Sequence, residues 1–362
     1  MDHSLLQPDP ARIDPAWMTR ALRQAGVITQ AQVETVVAKP VGNGLVGDSF
    51  RFELTYDRAE SGAPASVVGK FPAKDPASRK SGSDQMLYLT EVSFYREIAA
   101  TVAINTPRAL VVEFDPATDD FVLLFEDLGP ARQGDQLAGC DVADARAAMV
   151  EAAALHAPRW GDADLLALPW IAAKIERLMP MVTAMLPPII GLYRERYDGQ
   201  LEPEFMALVE KLPAAMAAQR LDTTTPFTVQ HGDFRLDNIL FEPQGGAKPM
   251  ATLDWQTVGV GTGVTDVAYF LSAGLDPDLR RANEQDLIRL YHAELQRRGV
   301  KDYPWDACWR DYRRYTLHGI LMGVFSALAV ERTERGDALF LKMTRGACQM
   351  AADHDSFAFW EG

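Results

Sequence analysis

Asp233, Arg235, Asn238 and Asp254 are the residues of this chain whose types and spacing could do chemistry. They stand in V-Q-H-G-D-F-R-L-D-N-I-L-F (229–241) and A-T-L-D-W-Q (251–256). Two oxygen ligands for a hard cation, a carboxylate able to take a hydroxyl proton and a cation for phosphate oxygens are the parts that phosphoryl transfer requires. The Asn lies five residues after the first Asp in one loop. The second Asp closes an apolar strand, 250–253, that can return beside it. D-x-x-x-x-N followed by such an Asp is the spacing of phosphoryl-transfer catalytic and metal loops.

That chemistry needs elements upstream to cover and grip the phosphates. V-G-N-G-L-V-G-D-S-F-R-F-E-L (41–54) carries Gly42, Gly44 and Gly47 in G-x-G-x-x-G spacing. A dinucleotide fingerprint would open a helix. Here the glycines run into Phe50, Phe52 and Leu54, apolar at every second position, which is a strand. The dinucleotide reading is therefore rejected, leaving a phosphate-covering hairpin or an ordinary hairpin turn. Lys70 then sits in the apolar run V-V-G-K-F. In isolation it could be a strand-edge charge facing solvent, but the following helix argues otherwise. In D-Q-M-L-Y-L-T-E-V-S-F-Y-R-E-I-A (84–99), Glu91 lies within the stripe of Leu87, Phe94, Tyr95 and Ile98, while Glu97 falls toward the polar face. A glutamate on a buried face is costly unless a cation meets it. Lys70 is that cation, which directs the lysine toward the α- and β-phosphates.

The chain resembles the aminoglycoside phosphotransferase and choline kinase-like group of small-molecule kinases, nearest the bacterial relatives of the ecdysteroid kinase-like branch. The resemblance rests on E-V-S-F-Y-R-E-I (91–98), L-L-F-E-D-L (123–128), A-L-H-A-P-R-W (154–160), H-G-D-F-R-L-D-N (231–238), L-D-W-Q (253–256) and T-D-V-A-Y-F-L (265–271). Together with the glycine segment it spans residues 41–271; the last ninety residues match only as a helical region. None of these motifs is specific for a substrate. The metal loop reads D-W-Q, without the glycine of the protein-kinase D-F-G, so no flipped inactive state is implied. Arg235 stands where aminoglycoside kinases commonly have His and protein kinases Lys.

The resemblance implies ATP and Mg²⁺ as cofactors and a hydroxylated small molecule as acceptor. It implies that Asp233 orients the acceptor hydroxyl and receives its proton, and that Arg235 neutralises charge on the transferring phosphoryl group. Asn238 and Asp254 would hold Mg²⁺. The backbone from Phe125 to Leu128, including Glu126, would face the adenine edge. His231 reads as a loop-packing residue, and Asp266 as a cap of its own helix that also bonds back to the catalytic loop. A nucleotide-binding pseudokinase is the alternative from another class. It is disfavoured because Lys70, Glu91, Asp233, Asn238 and Asp254 are all present.

Composition bounds the rest. The chain has 362 residues, 48% hydrophobic and 24% charged, with a net charge of −14. That is an ordinary globular composition, and its acidity gives no expectation of affinity for nucleic acid or anionic membranes. The acidity could favour a cationic acceptor or simply serve solubility. No apolar run of membrane-spanning length and no signal peptide are read from the sequence. Cys140, Cys308 and Cys348 are widely spaced, so a reducing, cytoplasmic location without disulfides is expected. The His and Cys spacings suit no zinc site, and no G-x-S-x-G suggests a serine hydrolase. Oligomeric state is not legible.

The expected architecture is α+β, a two-lobed protein-kinase-like fold: a small antiparallel sheet lobe over 1–126 that binds nucleotide, and a mainly helical lobe over 127–362 carrying the catalytic and metal loops. Asp14-Pro15 and Gly26 bracket a helix. The segment 72–84 is aperiodic and reads as a mobile loop with Lys74, Arg79 and Lys80 in solvent. Phe234, Trp255, Tyr269, Trp305, Trp309, Tyr312, Tyr315 and His318 are candidates for the acceptor pocket, slightly favouring an apolar acceptor. Aromatics at helical spacing are more often core.

Overall fold

Alternation of apolar residues across 33–126 builds a sheet whose two faces are both needed. The computed structural model describes residues 4–42, 46–220, 224–329 and 332–361. Its first unit comprises Met1–Ala100, Thr106–Pro130 and Asp254–Thr257. It contains strands β1 (Val33–Pro40), β2 (Gly47–Tyr56), β3 (Ser66–Pro72), β4 (Ala109–Asp115) and β5 (Asp120–Glu126), in the order β1-β2-β3-β5-β4. All neighbours are antiparallel.

β5 reads D-F-V-L-L-F-E, apolar without alternation, because both of its sides are covered. Val122 and Leu124 join Phe52, Val67 and Phe71 in a core closed by Trp17, Met18, Ala21 and Leu22 of α1 (Pro15–Gln24). Phe121, Leu123 and Phe125 point the other way, onto Tyr88 and Val92 of α3 (Leu87–Ser93). Burying each such side chain is worth about 1.5–3 kcal/mol. A charge at Leu123, fully buried, would strip α3 and its Glu91 from the sheet.

The segment expected to be a mobile loop is instead a helix. α2 spans Pro76–Asp84, started by Asp75, whose carboxylate accepts from the Ser78 N–H, with Pro76 at the first turn. Arg79 pairs with Asp120 and Lys80 with Asp84. This helix is specified by its cap and ion pairs, so an apolar-period reading passes over it.

The second unit, Thr101–Asn105, Ala131–Leu253 and Val258–Gly362, is mainly helical. Its helices include α4 (Val142–His156), α5 (Pro169–Ala173), α6 (Met179–Arg196) and α7 (Pro203–Arg220). After a single turn, α8 (Pro243–Gly246), follow α9 (Val264–Gly274), α10 (Pro277–Arg297), α11 (Trp305–Arg314), α12 (Leu317–Ala329) and α13 (Glu334–Asp353). α9 is buried at every position, as its nearly uncharged sequence requires.

Short strands frame the loop that carries Asp233. β6 (Arg132–Gln133), β8 (Ile239–Phe241) and β9 (Met250–Thr252) form one sheet, and β7 (Thr228–Gln230) pairs with β10 (Gly259–Gly261). Ile239 faces Thr252 in the β8–β9 register, and the Leu253 N–H donates to the Asn238 carbonyl at 2.8 Å. Asp254 is thus the next residue along the chain from the one paired to Asn238.

A second correction concerns apolar length. The continuous helical stretch Pro169–Arg196 is, by length and composition, long and apolar enough to cross a membrane, and little of it is buried. Its prolines and its early charges, Lys174, Glu176 and Arg177, break the run as read from sequence. A π-turn at Lys174–Leu178 precedes Pro180, where the missing N–H would otherwise leave a gap in the ladder.

Candidate phosphoryl-transfer site

Lys70 lies in β3 opposite Ser49 and Leu123. Its Nζ is 2.7 Å from Glu91 Oε2 and 2.9 Å from Asp254 Oδ1. Burial works against the ammonium, but the two carboxylates outweigh it and hold the Lys70 pKa above its ordinary value. Asp254 is set by its neighbour. The Trp255 ring stacks on Phe94 with centroids 3.8 Å apart, and its indole donates to Thr106 Oγ1 at 2.8 Å. The Trp255 N–H donates to Glu91 Oε1 at 3.3 Å. Asp254 itself has φ +61°, a left-handed conformation that costs a non-glycine residue and occurs mainly at turns and functional sites.

Of the three glycines, Gly44 lies outside the described residues. Gly42 has φ +74°. A Cβ on Gly47 would come within 3.2 Å of the Phe71 carbonyl oxygen, so a side chain there would press against β3 beside Lys70. Tyr88 donates to the Val46 carbonyl at 2.7 Å, tying the end of this segment to α3.

At the end of β5, the Glu126 carboxylate accepts from the Arg108 N–H at 2.9 Å. Leu128 is buried. The residue between them is one that the sequence reading passed over. Asp127 takes two bonds from Arg51, at 2.6 and 3.1 Å, and one each from Ser66 Oγ (2.7 Å) and the Gly129 N–H (2.9 Å). It locks the strand end between its two flanking residues; the only sequence signal was its place in L-L-F-E-D-L.

In the second unit the loop 231–238 is pinned through its backbone N–H groups by a carboxylate from α9. Asp266 Oδ2 accepts from the His231 N–H at 2.7 Å and Oδ1 from the Gly232 N–H at 3.0 Å. His156 Nε2 lies 3.2 Å from Asp266 Oδ2, and its Nδ1 lies 2.9 Å from the Tyr291 hydroxyl. Burial pushes the Asp266 carboxyl up, but the adjacent His156 and His231 rings and the N–H donors bring it below the usual range. Asp266 does not cap its helix: α9 is preceded by Gly263, with no side-chain cap. The whole carboxylate serves the loop instead. His231 is fully buried between the Leu253 carbonyl and the Asp233 N–H, a packing position. His318 Nε2 meets the Gly232 carbonyl at 2.7 Å.

Asp233 is then surrounded by donors. Arg235 Nε reaches both oxygens at 3.0 and 3.1 Å, the Tyr269 hydroxyl donates to Oδ1 at 2.9 Å, and Asn238 Nδ2 donates to Oδ2 at 2.9 Å. Burial raises this carboxyl, yet Arg235 first, with His231 and Tyr269, takes it below the ordinary carboxylate range. Arg235 also gives Nη1 to Asp237 Oδ2 at 2.6 Å. The guanidinium expected on phosphate oxygens is here clasped by two carboxylates, and one of them, Asp237, was not singled out in the sequence. Gln136 closes the clasp, donating its N–H to Asp237 Oδ1 and accepting from the Leu236 N–H.

Asn238 spends its Nδ2 on Asp233, on both the carboxylate and the backbone carbonyl. That orientation leaves the amide oxygen as its ligand atom. Asp254 gives one oxygen to Lys70, and its side chain is 39% exposed. Each residue taken by itself offers an oxygen of the kind that Mg²⁺ could use, a hard cation that takes one or two protein oxygens and completes its shell with phosphate and water. Among the described residues no group of three His, Cys, Asp or Glu side chains is placed to hold an ion unaided.

The aromatic candidates separate. Tyr269 and His318 meet edge to face at 5.4 Å, beside the Asp233 loop. Phe234 is core, against Phe270. Trp255 belongs to the α3 packing described above. Trp305, Trp309 and Tyr312 stack on one another among His292 and His354, and Tyr312 donates to Glu284. Tyr315 bonds Thr225 and packs on Trp360. These late rings hold helices together.

Residues 170–301 match the model of the ecdysteroid kinase-like family. A 92-residue stretch, 24% of this chain, is 36% identical to mouse acyl-CoA dehydrogenase family member 10; it spans 8% of that protein's length. Among solved structures, choline kinase from Cryptosporidium parvum superposes with a TM-score of 0.54 at 11% identity, covering 88% of this chain and 90% of that one. Ethanolamine kinase from Plasmodium vivax superposes with a TM-score of 0.54 at 10% identity, covering 86% and 81%. At such identities the superpositions establish the fold alone, the one that those two structures share.

Proposed function

We propose, for a chain that has the fold of the small-molecule kinases and a central segment of the ecdysteroid kinase-like family, that it is an ATP- and Mg²⁺-dependent phosphotransferase acting on a hydroxyl group of a small molecule. The observation that carries this reading is the setting of Asp233: a half-buried carboxylate held by Arg235, Tyr269 and Asn238, its pKa kept below the ordinary range chiefly by Arg235. Arg235 and Asn238 of its own loop, with Tyr269 of α9, fix the direction of its oxygens, as orienting an acceptor hydroxyl requires.

ATP supplies the phosphoryl group, and Mg²⁺ offsets the charge of its oxygens. The protein's part is positioning. Lys70 would bind phosphate oxygens, steadied by Glu91; Asn238 and Asp254 would hold the cation; the backbone around Glu126 and Leu128 would meet the base. Asp233 would hold the acceptor hydroxyl in line and take its proton. A carboxylate with a depressed pKa is a weak base, so it acts by orientation, with the proton leaving late in a loose transition state. Arg235 fixes Asp233 and, through its remaining Nη2, can still face developing negative charge.

Acceptors to be tested follow from two sources. The neighbouring folds include enzymes named for choline and ethanolamine, both amino alcohols, and the chain's net charge of −14 suits a cationic acceptor. The aromatic edge of Tyr269 and His318 suits a more apolar one. Purified protein with Mg-ATP should be assayed for phosphate transfer to amino alcohols, aminoglycosides, sterols and hydroxyacyl thioesters. Stoichiometric transfer to one class supports the reading. Nucleotide binding without transfer to any of them, in protein that melts as a folded chain, would favour a nucleotide-binding regulator instead.

A further inference from the structure

Independently of the phosphotransferase reading, we infer that α6 forms a two-fold, antiparallel dimer seam with a second copy of this chain. Met181, Met185, Pro188 and Leu192 stand at i, i+4, i+7 and i+11, one face of a helix. All four are exposed, Met181 by 39%, Met185 by 42% and Leu192 by 54%. The opposite face, Leu186, Ile189, Ile190 and Tyr193, is buried in the unit's own core. From Leu178 to Tyr193 the helix carries no charge. An uncharged stripe of this length on an exposed helix face marks an interaction surface.

The charges that bound the stripe identify its occupant. Arg177 lies four residues before Met181 and Glu195 three after Leu192, so both fall on the same face. Both are exposed, and neither side chain pairs with another among the described residues. Against an identical helix running the other way, Met181 meets Leu192 and Met185 meets Pro188. Arg177 of each copy then falls within a turn of Glu195 of the other, twice over. That is the self-complementarity of an isologous contact. A parallel pairing would set like charges together. A lipid surface fits less well, because the stripe lacks a basic polar face: the other side of α6 is already core, and the chain is acidic.

The seam alone is small. The 28-residue stretch Pro169–Arg196 is about 42 Å long at about 1.5 Å per residue, and a strip about 10 Å wide covers about 400 Å². A standard interface takes about 800 Å² per partner. The seam is therefore at the weak end of specific contacts, and the dimer should dissociate on dilution.

Sedimentation equilibrium of the full chain over a wide concentration range tests this. A concentration-dependent dimer is expected. Met185→Glu should make it monomeric, with a melting temperature equal to that of the wild type measured at concentrations where the wild type is itself a monomer. Arg177→Glu and Glu195→Arg should each weaken it about tenfold, and the double variant should restore it, which neither misfolding nor a different partner would reproduce. A monomer at every concentration, or a dimer indifferent to these changes, overturns the inference. So does failure of the double variant to restore pairing, or a monomer that floats with phosphatidylcholine or phosphatidylserine vesicles.

Discussion

The Tyr269 hydroxyl, carried by a helix buried along its whole length, donates to Asp233 Oδ1 at 2.9 Å. The two residues lie 36 apart, and the bond ties the rigid α9 directly to the carboxylate proposed to hold the acceptor hydroxyl. Tyr269→Phe keeps the packing and removes one donor to a charged group, worth about 1.5–3 kcal/mol. Turnover should fall roughly tenfold to a hundredfold with KM for nucleotide unchanged. Steady-state kinetics measures this; a rise in nucleotide KM at constant turnover would place Tyr269 in nucleotide binding.

Arg235 is the strongest influence lowering the Asp233 pKa, opposing the burial that raises it. If turnover needs ionised Asp233, its acid limb lies below the ordinary carboxylate range. Arg235→Gln leaves burial less opposed, so the Asp233 pKa rises and the limb should move to higher pH. The variant also leaves two carboxylates short of a cation, at a cost of about 3–5 kcal/mol in stability. A pH–rate profile and a thermal melt check both parts.

How much of this was legible in the sequence depends on separation. Asp233 and Asn238 share one loop, and the Lys70–Glu91 pair could be inferred because a carboxylate on an apolar helical stripe demands a cation. Asp127 with Arg51, and Asp266 with His156, are joined across 76 and 110 residues, where no local period reports on contact. α2 was hidden for another reason: its stability comes from Asp75, Arg79 and Lys80 rather than from an apolar face. The late aromatic cluster left two readings open, of which core was the more frequent, because stacked rings between helices have the same spacing as rings that line a pocket.

Lys174 gives the fold a pH dependence in the alkaline range. Its ammonium donates to the Val258 carbonyl at 2.6 Å, and burial lowers its pKa from 10.5 to about 8. Below pH 8 both folded and unfolded chains carry the charge, and the burial cost is fully present. Between 8 and 10.5 the unfolded chain binds more protons, so stability should rise with pH. The full span is on the order of 3 kcal/mol. Lys174→Met should be more stable at neutral pH by about 1–3 kcal/mol, less than the full span because the carbonyl loses its donor. The rise above pH 8 should vanish. Denaturant unfolding at several pH values measures both.

Asp254 shares the Lys70 ammonium with Glu91, so Asp254→Ala should leave the fold intact while removing the oxygen proposed to hold Mg²⁺. The Mg²⁺-dependent part of any ATP-induced rise in melting temperature should disappear. An unaltered Mg²⁺-dependent shift would remove Asp254 from the metal site.

Asp233→Asn offers the most direct measurement, because the amide nearly preserves the carboxylate's shape and removes its charge. Mg-ATP binding by calorimetry and phosphate transfer to the acceptor found in the screen should be measured side by side on the wild-type and variant chains. Binding within about twofold of wild type with transfer reduced at least about a hundredfold is the expected result. Transfer at the wild-type rate would contradict the assignment of Asp233 as the residue that holds the acceptor hydroxyl.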